Sequence, residues 1–353
     1  MIRRIQALPK PLRVLTFSAI IAAALFAIYL VTLGVISAVA RSQPRTVAVA
    51  SDPALNVSEF AVLPDEDAYP SSLAMAQDGS VYTASYASGT IWRISPDGEP
   101  TELPGTRDQL GAVIALELAP DGTLYALDHT DPLNVQGGII WQLTPDGELS
   151  RRLTLDAAPA SVAAFYDDLA VDAVGNLYIS DRVQDRVYRL AIDDEQVTAW
   201  WQEFPTTPDE ALSPGGLGYD PVTDSIIVAD ATAHRIYRVP VTAEDPTAAT
   251  EILFEYEGQG IGPGFDGLTV TPDGVIYLAA LGQNAVARLE GTVLDYLARG
   301  FRGASDVAFD AARNRLIVTN WDQSYLRPAT VWLVFTVDSP PRLPFALDAI
   351  DLP

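Results

Sequence analysis

Short runs in which apolar and polar residues alternate, broken by turn residues, fill most of the chain; only the N-terminal stretch departs from that pattern. Residues 14–40 hold no charge at all. As a helix this stretch spans about 40 Å at ~1.5 Å per residue, more than the ~20 residues a bilayer core requires. A cleavable signal peptide carries an apolar stretch of only ~7–15 residues. The length therefore favours a retained transmembrane anchor, while Ala38, Val39 and Ala40 also fit a small-x-small cleavage site.

The alternating body repeats itself. Six segments, starting at Ser72, Ala115, Asp168, Gly216, Gly267 and Asp306, share one order: an apolar strand, a turn, a second strand, a loop, and a third strand often ending in Arg plus an aliphatic residue. SLAMAQDGSVYTASYASGTIWRI and GLTVTPDGVIYLAALGQNAVARL are two of them. The turn positions Gly79, Gly122, Gly175, Asp224, Gly274 and Asn314 are 43, 53, 49, 50 and 40 residues apart. Asp-Gly and its relatives tolerate the positive φ that a tight hairpin needs, and a four-stranded blade requires about this spacing. The pattern predicts an all-β fold, a six-bladed β-propeller preceded by one N-terminal transmembrane helix.

The expected organisation is a cytoplasmic N-terminus over 1–13, an anchor over 14–40, a stalk over 41–56, the propeller over 57–338 and a tail over 339–353. After the sixth repeat only SPPRLPFALDAIDLP remains, and its prolines argue against a normal fourth strand there. VSEFAVL at 57–63 is then expected to close the ring as the outer strand of the sixth blade, covering an edge that would otherwise invite pairing.

Charge sharpens the picture. The chain carries 22 basic and 46 acidic residues, a net charge of −24. Arg3, Arg4, Lys10, Arg13, Arg41 and Arg45 all lie in the first 45 residues, which hold no acid, so the body has 16 basic residues against 46 acidic ones. Basic residues before an apolar helix keep its N-terminus in the cytoplasm and export the body of the chain beyond it. A body this acidic repels phosphate backbones and excludes nucleic acid as a partner. With no cysteine, disulfides and zinc–thiolate sites are excluded as well.

Candidate chemistry gathers where the first strand of each blade begins. Two places before the shared Leu or Val stand Ser71, Ile114, Asp167, Gly215, Asp266 and Ser305; one place before it stand Ser72, Ala115, Asp168, Gly216, Gly267 and Asp306. Asp167, Asp168, Asp266 and Asp306 would thus crowd one end of the channel. Such a cluster can hold a hard cation through carboxylate oxygens, or each Asp can cap local turns. Trp321 opens a long loop that can reach the same rim, and the loop over 128–138 is a second candidate lid. His129 and His234 have no nucleophile motif beside them and read as structural. Asp128, Asp181, Asp230 and Asn320 recur at the end of the second strand, marking a hydrogen bond repeated in each blade. Trp200 and Trp201 lie on an outer strand, where adjacent residues face opposite ways, so one should pack and one be exposed.

On these motifs the repeats resemble the gluconolactonase, senescence-marker (regucalcin) and luciferin-regenerating family over residues 57–338. The resemblance implies a six-bladed propeller with one divalent metal in its channel, and lactone hydrolysis in some members. It places ligands at the same rim offset on blades one, three, four and five, typically Glu, Asn, Asn and Asp. Asp266, followed by Gly267 and Leu268, keeps the blade-five motif; Asp167 stands in place of Asn; Gly215 and Ser71 stand where Asn and Glu are expected. By resemblance, then, Asp167 and Asp266 are the metal ligands, calcium is the candidate ion, and Asp266 is the candidate catalytic group. Ser71, Asp168, Asp306 and Trp321 are the substrate or rim candidates. GNLYISDRVQDRVYRL and SIIVADATAHRIYRV also resemble NHL repeats, common binding platforms, and an anchor followed by a propeller resembles the strictosidine-synthase-like membrane proteins. Two functions stay open: an exported metal-dependent lactone or ester hydrolase with a degenerate site, or a non-catalytic propeller binding a small lactone- or sugar-like molecule or a protein.

Overall fold

The computed structural model describes residues 9–42, 47–131, 137–144, 147–155, 164–191, 197–203, 210–322, 341 and 343–353. The N-terminal helix and the ring of blades are separate compact units. The helix runs Lys10–Ser42, and its Lys10–Thr32 portion is long and apolar enough to cross a membrane. Leu15, Phe26 and Ile28 are each well over half exposed along it. A helix that is apolar on all sides has no polar face to offer water and is stable in an apolar medium.

The ring consists of six antiparallel sheets. Its innermost strands are Pro70–Met75, Val113–Leu118, Tyr166–Val171, Pro214–Asp220, Phe265–Val270 and Val307–Asp310. Each packs against the next, and the sixth packs against the first, which closes the circle. All six turn positions read from the sequence adopt left-handed backbone, with φ between +48° and +95°. The hairpins built on these turns keep side-chain alternation in register, so each blade offers an apolar face to its neighbour. Between blades one and two this seam holds Ala84, Ile91, Val113, Leu116 and Leu143, and between three and four Tyr178, Val187, Trp201, Val228 and Tyr237. Each Val, Leu or Ile side chain in these seams contributes about 1.5–3 kcal/mol on burial.

The ring closes as expected on the N-terminal side: Asn56–Val62 is the outer strand of blade six. The strand between it and Arg315–Val318, however, is Ala346–Asp351. The segment expected to trail as a tail over 339–353 therefore supplies a third strand, and the ring extends beyond 338. The prolines do not oppose this, because Pro340, Pro341 and Pro344 all precede the strand. Ala346, Leu347, Ala349 and Ile350 are buried, and Asp348 accepts a 3.0 Å bond from Asn320 Nδ2. The third strand read within 306–334 falls mainly outside the described residues, as do parts of both candidate lids. Val49–Ala50, expected in the stalk, pairs with Val293–Arg299 and adds a fifth strand to blade five.

The recurring second-strand acceptors behave as read. Asp128 Oδ1 accepts from the backbone of Gly111, Ala112 and Thr130, and Asp181 Oδ1 from Phe165, Val183 and Gln184. Asp230 and Asn320 do the same in blades four and six. Trp201 is buried and donates to Thr250 Oγ1 at 2.8 Å, whereas Trp200 is half-buried with its ring edge-on to Tyr178.

Candidate functional site

One cavity at the mouth of the channel is lined by Ser71, Ser72, Ile114, Asp167, Asp168, Asp266, Gly267, Ser305, Asp306 and Trp321. The four aspartates of the register, Asp167, Asp168, Asp266 and Asp306, thus line one cavity with Ser71, Ser72 and Trp321, whereas Ala115, Gly215 and Gly216 do not line it. The cavity is small, about 20 Å³. That is room for one or two waters, far below the ~300–1,000 Å³ of pockets that engulf a drug-sized ligand.

The side chains divide into two sets. Asp168 and Asp306 clasp neighbouring blades. Asp306 accepts from its own blade's Val307 N–H at 2.7 Å, and across the closing seam from Leu73 N–H at 2.7 Å and Ser72 Oγ at 3.1 Å. Asp168 accepts from Leu169 N–H and, on blade four, from Leu217 N–H, both at 2.8 Å. The Ser72 hydroxyl does the same for Leu116 N–H of blade two at 3.0 Å. These aspartates are therefore neither local turn caps nor free oxygens. Ser71 is also engaged, its hydroxyl donating to the Val113 carbonyl at 2.7 Å.

Asp167 and Asp266 form the second set, and they share a partner. Arg182 Nη1 donates to Asp167 Oδ2 at 3.0 Å and to Asp266 Oδ1 at 3.4 Å, while its Nε donates to Ser213 Oγ at 3.0 Å. The pair read as metal ligands thus flanks a guanidinium. Gly215, at the blade-four position, adds no side-chain oxygen. Among the described residues no group of three or more His, Cys, Asp or Glu is arranged to hold a metal ion. A calcium ion takes six to eight oxygens at about 2.3–2.6 Å, and the residues at this mouth do not fit that requirement.

The electrostatics follow from burial. Withdrawal from water pushes the Asp266 carboxyl up, the Arg182 charge pulls it back down, and Asp167 and Asp306 add to the rise. Asp306 is pushed up to about 7 by burial, opposed by the donors of Leu73, Val307 and Ser72. Asp168 rises too, through burial and the neighbouring Asp306. Glu117 sits one step further along the inner strand of blade two, where the other blades carry Ala74, Ala170, Gly218, Thr269 and Ala308. Burial, with Asp306 adding, pushes it up to about 8.

Glu117 and Arg182 were missed by reading only the inner-strand starts. A second register would have found Arg182. The residue after the recurring second-strand end is Tyr86, His129, Arg182, Ala231, Leu281 or Trp321, and Arg182 is the one charged member. Three of the others form an aromatic group. Tyr86 meets the rings of His129 and Trp321 edge-on at 5.8 and 5.6 Å, and Phe165 meets His129 at 4.9 Å. His129 is buried between Tyr86 Oη and the Tyr166 carbonyl, and burial lowers its pKa, so it stays neutral. His234 accepts from Gly264 N–H at 3.3 Å and lines no part of the mouth.

Fold and mouth together define a six-bladed β-propeller with a carboxylate-lined channel entrance. Residues 166–321 match the model of the SMP-30/Gluconolactonase/LRE-like region. Among solved structures, a luciferin-regenerating enzyme is 16% identical with a TM-score of 0.61, covering 84% of this chain and 95% of its own. A gluconolactonase from Xanthomonas campestris is 15% identical, with a TM-score of 0.58 over 89% of this chain and 100% of its own. A calcium-binding regucalcin from Agrobacterium tumefaciens is 18% identical, with a TM-score of 0.55 over 82% and 93%. At these identities the likeness is one of fold. No curated protein matches the chain.

Proposed function

We propose that the chain is a membrane-anchored, extracytoplasmic binding propeller on a gluconolactonase-like frame, rather than a metal-dependent hydrolase. The observation that carries this reading is the engagement of the mouth's oxygens within the frame itself. Ser71, Asp168 and Asp306 bond to backbone groups of adjacent blades. A ligand, either a small polar molecule or a protein surface, then meets the rim from outside the small cavity. Export is supported by Arg3, Arg4, Lys10 and Arg13 ahead of the apolar helix.

The competing reading, a divalent-metal-dependent lactone or ester hydrolase, is favoured by the family match over 166–321 and by the gluconolactonase and calcium-binding neighbours. Detergent-solubilised full chain, assayed on a panel of lactones and aryl esters with calcium or with EDTA, separates the two. Binding alone predicts no turnover above a heat-denatured control. Turnover that EDTA abolishes refutes it.

A further inference from the structure

We infer that Arg182 is a resident cation, standing where a metal-binding channel would hold its ion, and that Gly215 is the residue that makes room for it. Asp167 and Asp266 come from blades three and five and are both buried, with side chains 6% and 10% exposed. Two carboxylates drawn this close into low dielectric need a positive charge between them or must keep protons. Arg182 supplies that charge from the loop after the second strand of blade three. Its backbone is fixed by a 3.0 Å bond to the Phe165 carbonyl, and its Nε by Ser213 of blade four. One guanidinium therefore joins three consecutive blades at the mouth.

The space it occupies depends on residue 215. A Cβ there would lie 2.7 Å from Asp167 Oδ2 and 3.2 Å from Arg182 Cζ. Any side chain at 215 must displace either the guanidinium or the carboxylate it binds. Residues 182 and 215 are thus coupled: a cation carried by the chain goes with glycine, and an oxygen-bearing side chain at 215 goes with loss of the arginine. This inference goes beyond the binding reading and concerns only which cation the mouth contains.

The test is thermal unfolding of the full chain in detergent, without substrate, in millimolar calcium or in EDTA. The wild-type melting temperature should be the same in both. Removing one member of a buried ion pair is strongly destabilising, so Arg182→Ala should melt roughly 5–10 °C lower in EDTA. Calcium should restore part of that loss, and more of it in Arg182→Ala/Gly215→Asn, whose amide adds an oxygen. Arg182→Lys keeps the charge and should melt near wild type with no calcium response, which guards against a failure of the alanine variant to fold. Gly215→Asn alone should be destabilised, and non-additively with Arg182→Ala. A wild-type protein stabilised by calcium overturns the inference, as does an Arg182→Ala variant that loses no stability or regains none with calcium. Lactone turnover would sink the binding reading while leaving this result untouched.

Discussion

Replacing Asp306 should open the ring at its closing seam, and the size of the effect can be worked from its contacts. The carboxylate accepts from Leu73 N–H, Val307 N–H and Ser72 Oγ, and the residue is buried. Asp306→Ala leaves two buried backbone donors without acceptors, at about 1–3 kcal/mol each, so about 2–6 kcal/mol in total. Asp306→Asn keeps one carbonyl oxygen and should cost about half of that. The asparagine variant also carries a pH signature. Burial raises the Asp306 pKa from the ordinary 3.8 to about 7, so between these values the folded state holds a proton that the unfolded chain has released. Stability must then fall as pH rises through that window, by up to ~1.4 kcal/mol per pH unit, and Asp306→Asn should remove this slope. Urea unfolding of the full chain between pH 4 and 8, followed by tryptophan fluorescence, measures both quantities, with exposed Asp108→Ala as the control. An alanine variant within about 0.5 kcal/mol of wild type, or an asparagine variant with the wild-type pH slope, refutes the clasp.

Other expectations rest on the same geometry. Deleting Pro344–Pro353 removes the third strand of blade six and leaves Asn56–Val62 with no partner in that sheet, so the cooperative melt seen by circular dichroism should vanish; a normal melt would mean that the segment is a dispensable tail. Trp201→Ala empties a buried seam and breaks the bond to Thr250, and should cost about 3–5 kcal/mol in urea unfolding, clearly more than Trp200→Ala. Glu117 is raised to about 8 and Glu203 to about 9. The folded state holds these protons longest, so the wild-type melting temperature should fall steadily from pH 5 to pH 9; a rise over that range would contradict the buried carboxyls.

The sequence exposed most of the fold because its strongest signals are local. Asp-Gly turns and their Asn and Asp relatives accept left-handed backbone at little cost, all six turn positions adopt it, and six of them at blade spacing leave little choice of architecture. The strand at 57–63 was legible as a closure because it had no other partner. The strand at Ala346–Asp351 was not: its prolines sit before it, and its pairing to Arg315–Val318 spans a long insertion with no local signature. At the mouth, alignment of strand starts gathered Asp167, Asp168, Asp266 and Asp306 correctly, since the ring brings equivalent positions together. It set Asp167 and Asp266 apart from Asp168 and Asp306, but as metal ligands against rim candidates rather than as partners of an arginine against clasps between blades. Asp168 and Asp306 differ from Asp167 and Asp266 by one position, which aims them at the next blade's backbone rather than at Arg182. The offset was legible from alternation along the strand, but the partners it selects, Arg182 and the backbone of the next blade, come from other blades and carry no signal at the strand starts.

Isothermal titration of calcium into EDTA-treated full chain tests the central claim most directly, because it asks whether the paired aspartates are open to an ion. With Arg182 between Asp167 and Asp266, the account predicts no saturable heat of binding at millimolar calcium. A one-to-one isotherm with micromolar affinity, lost in Asp266→Asn, would contradict it.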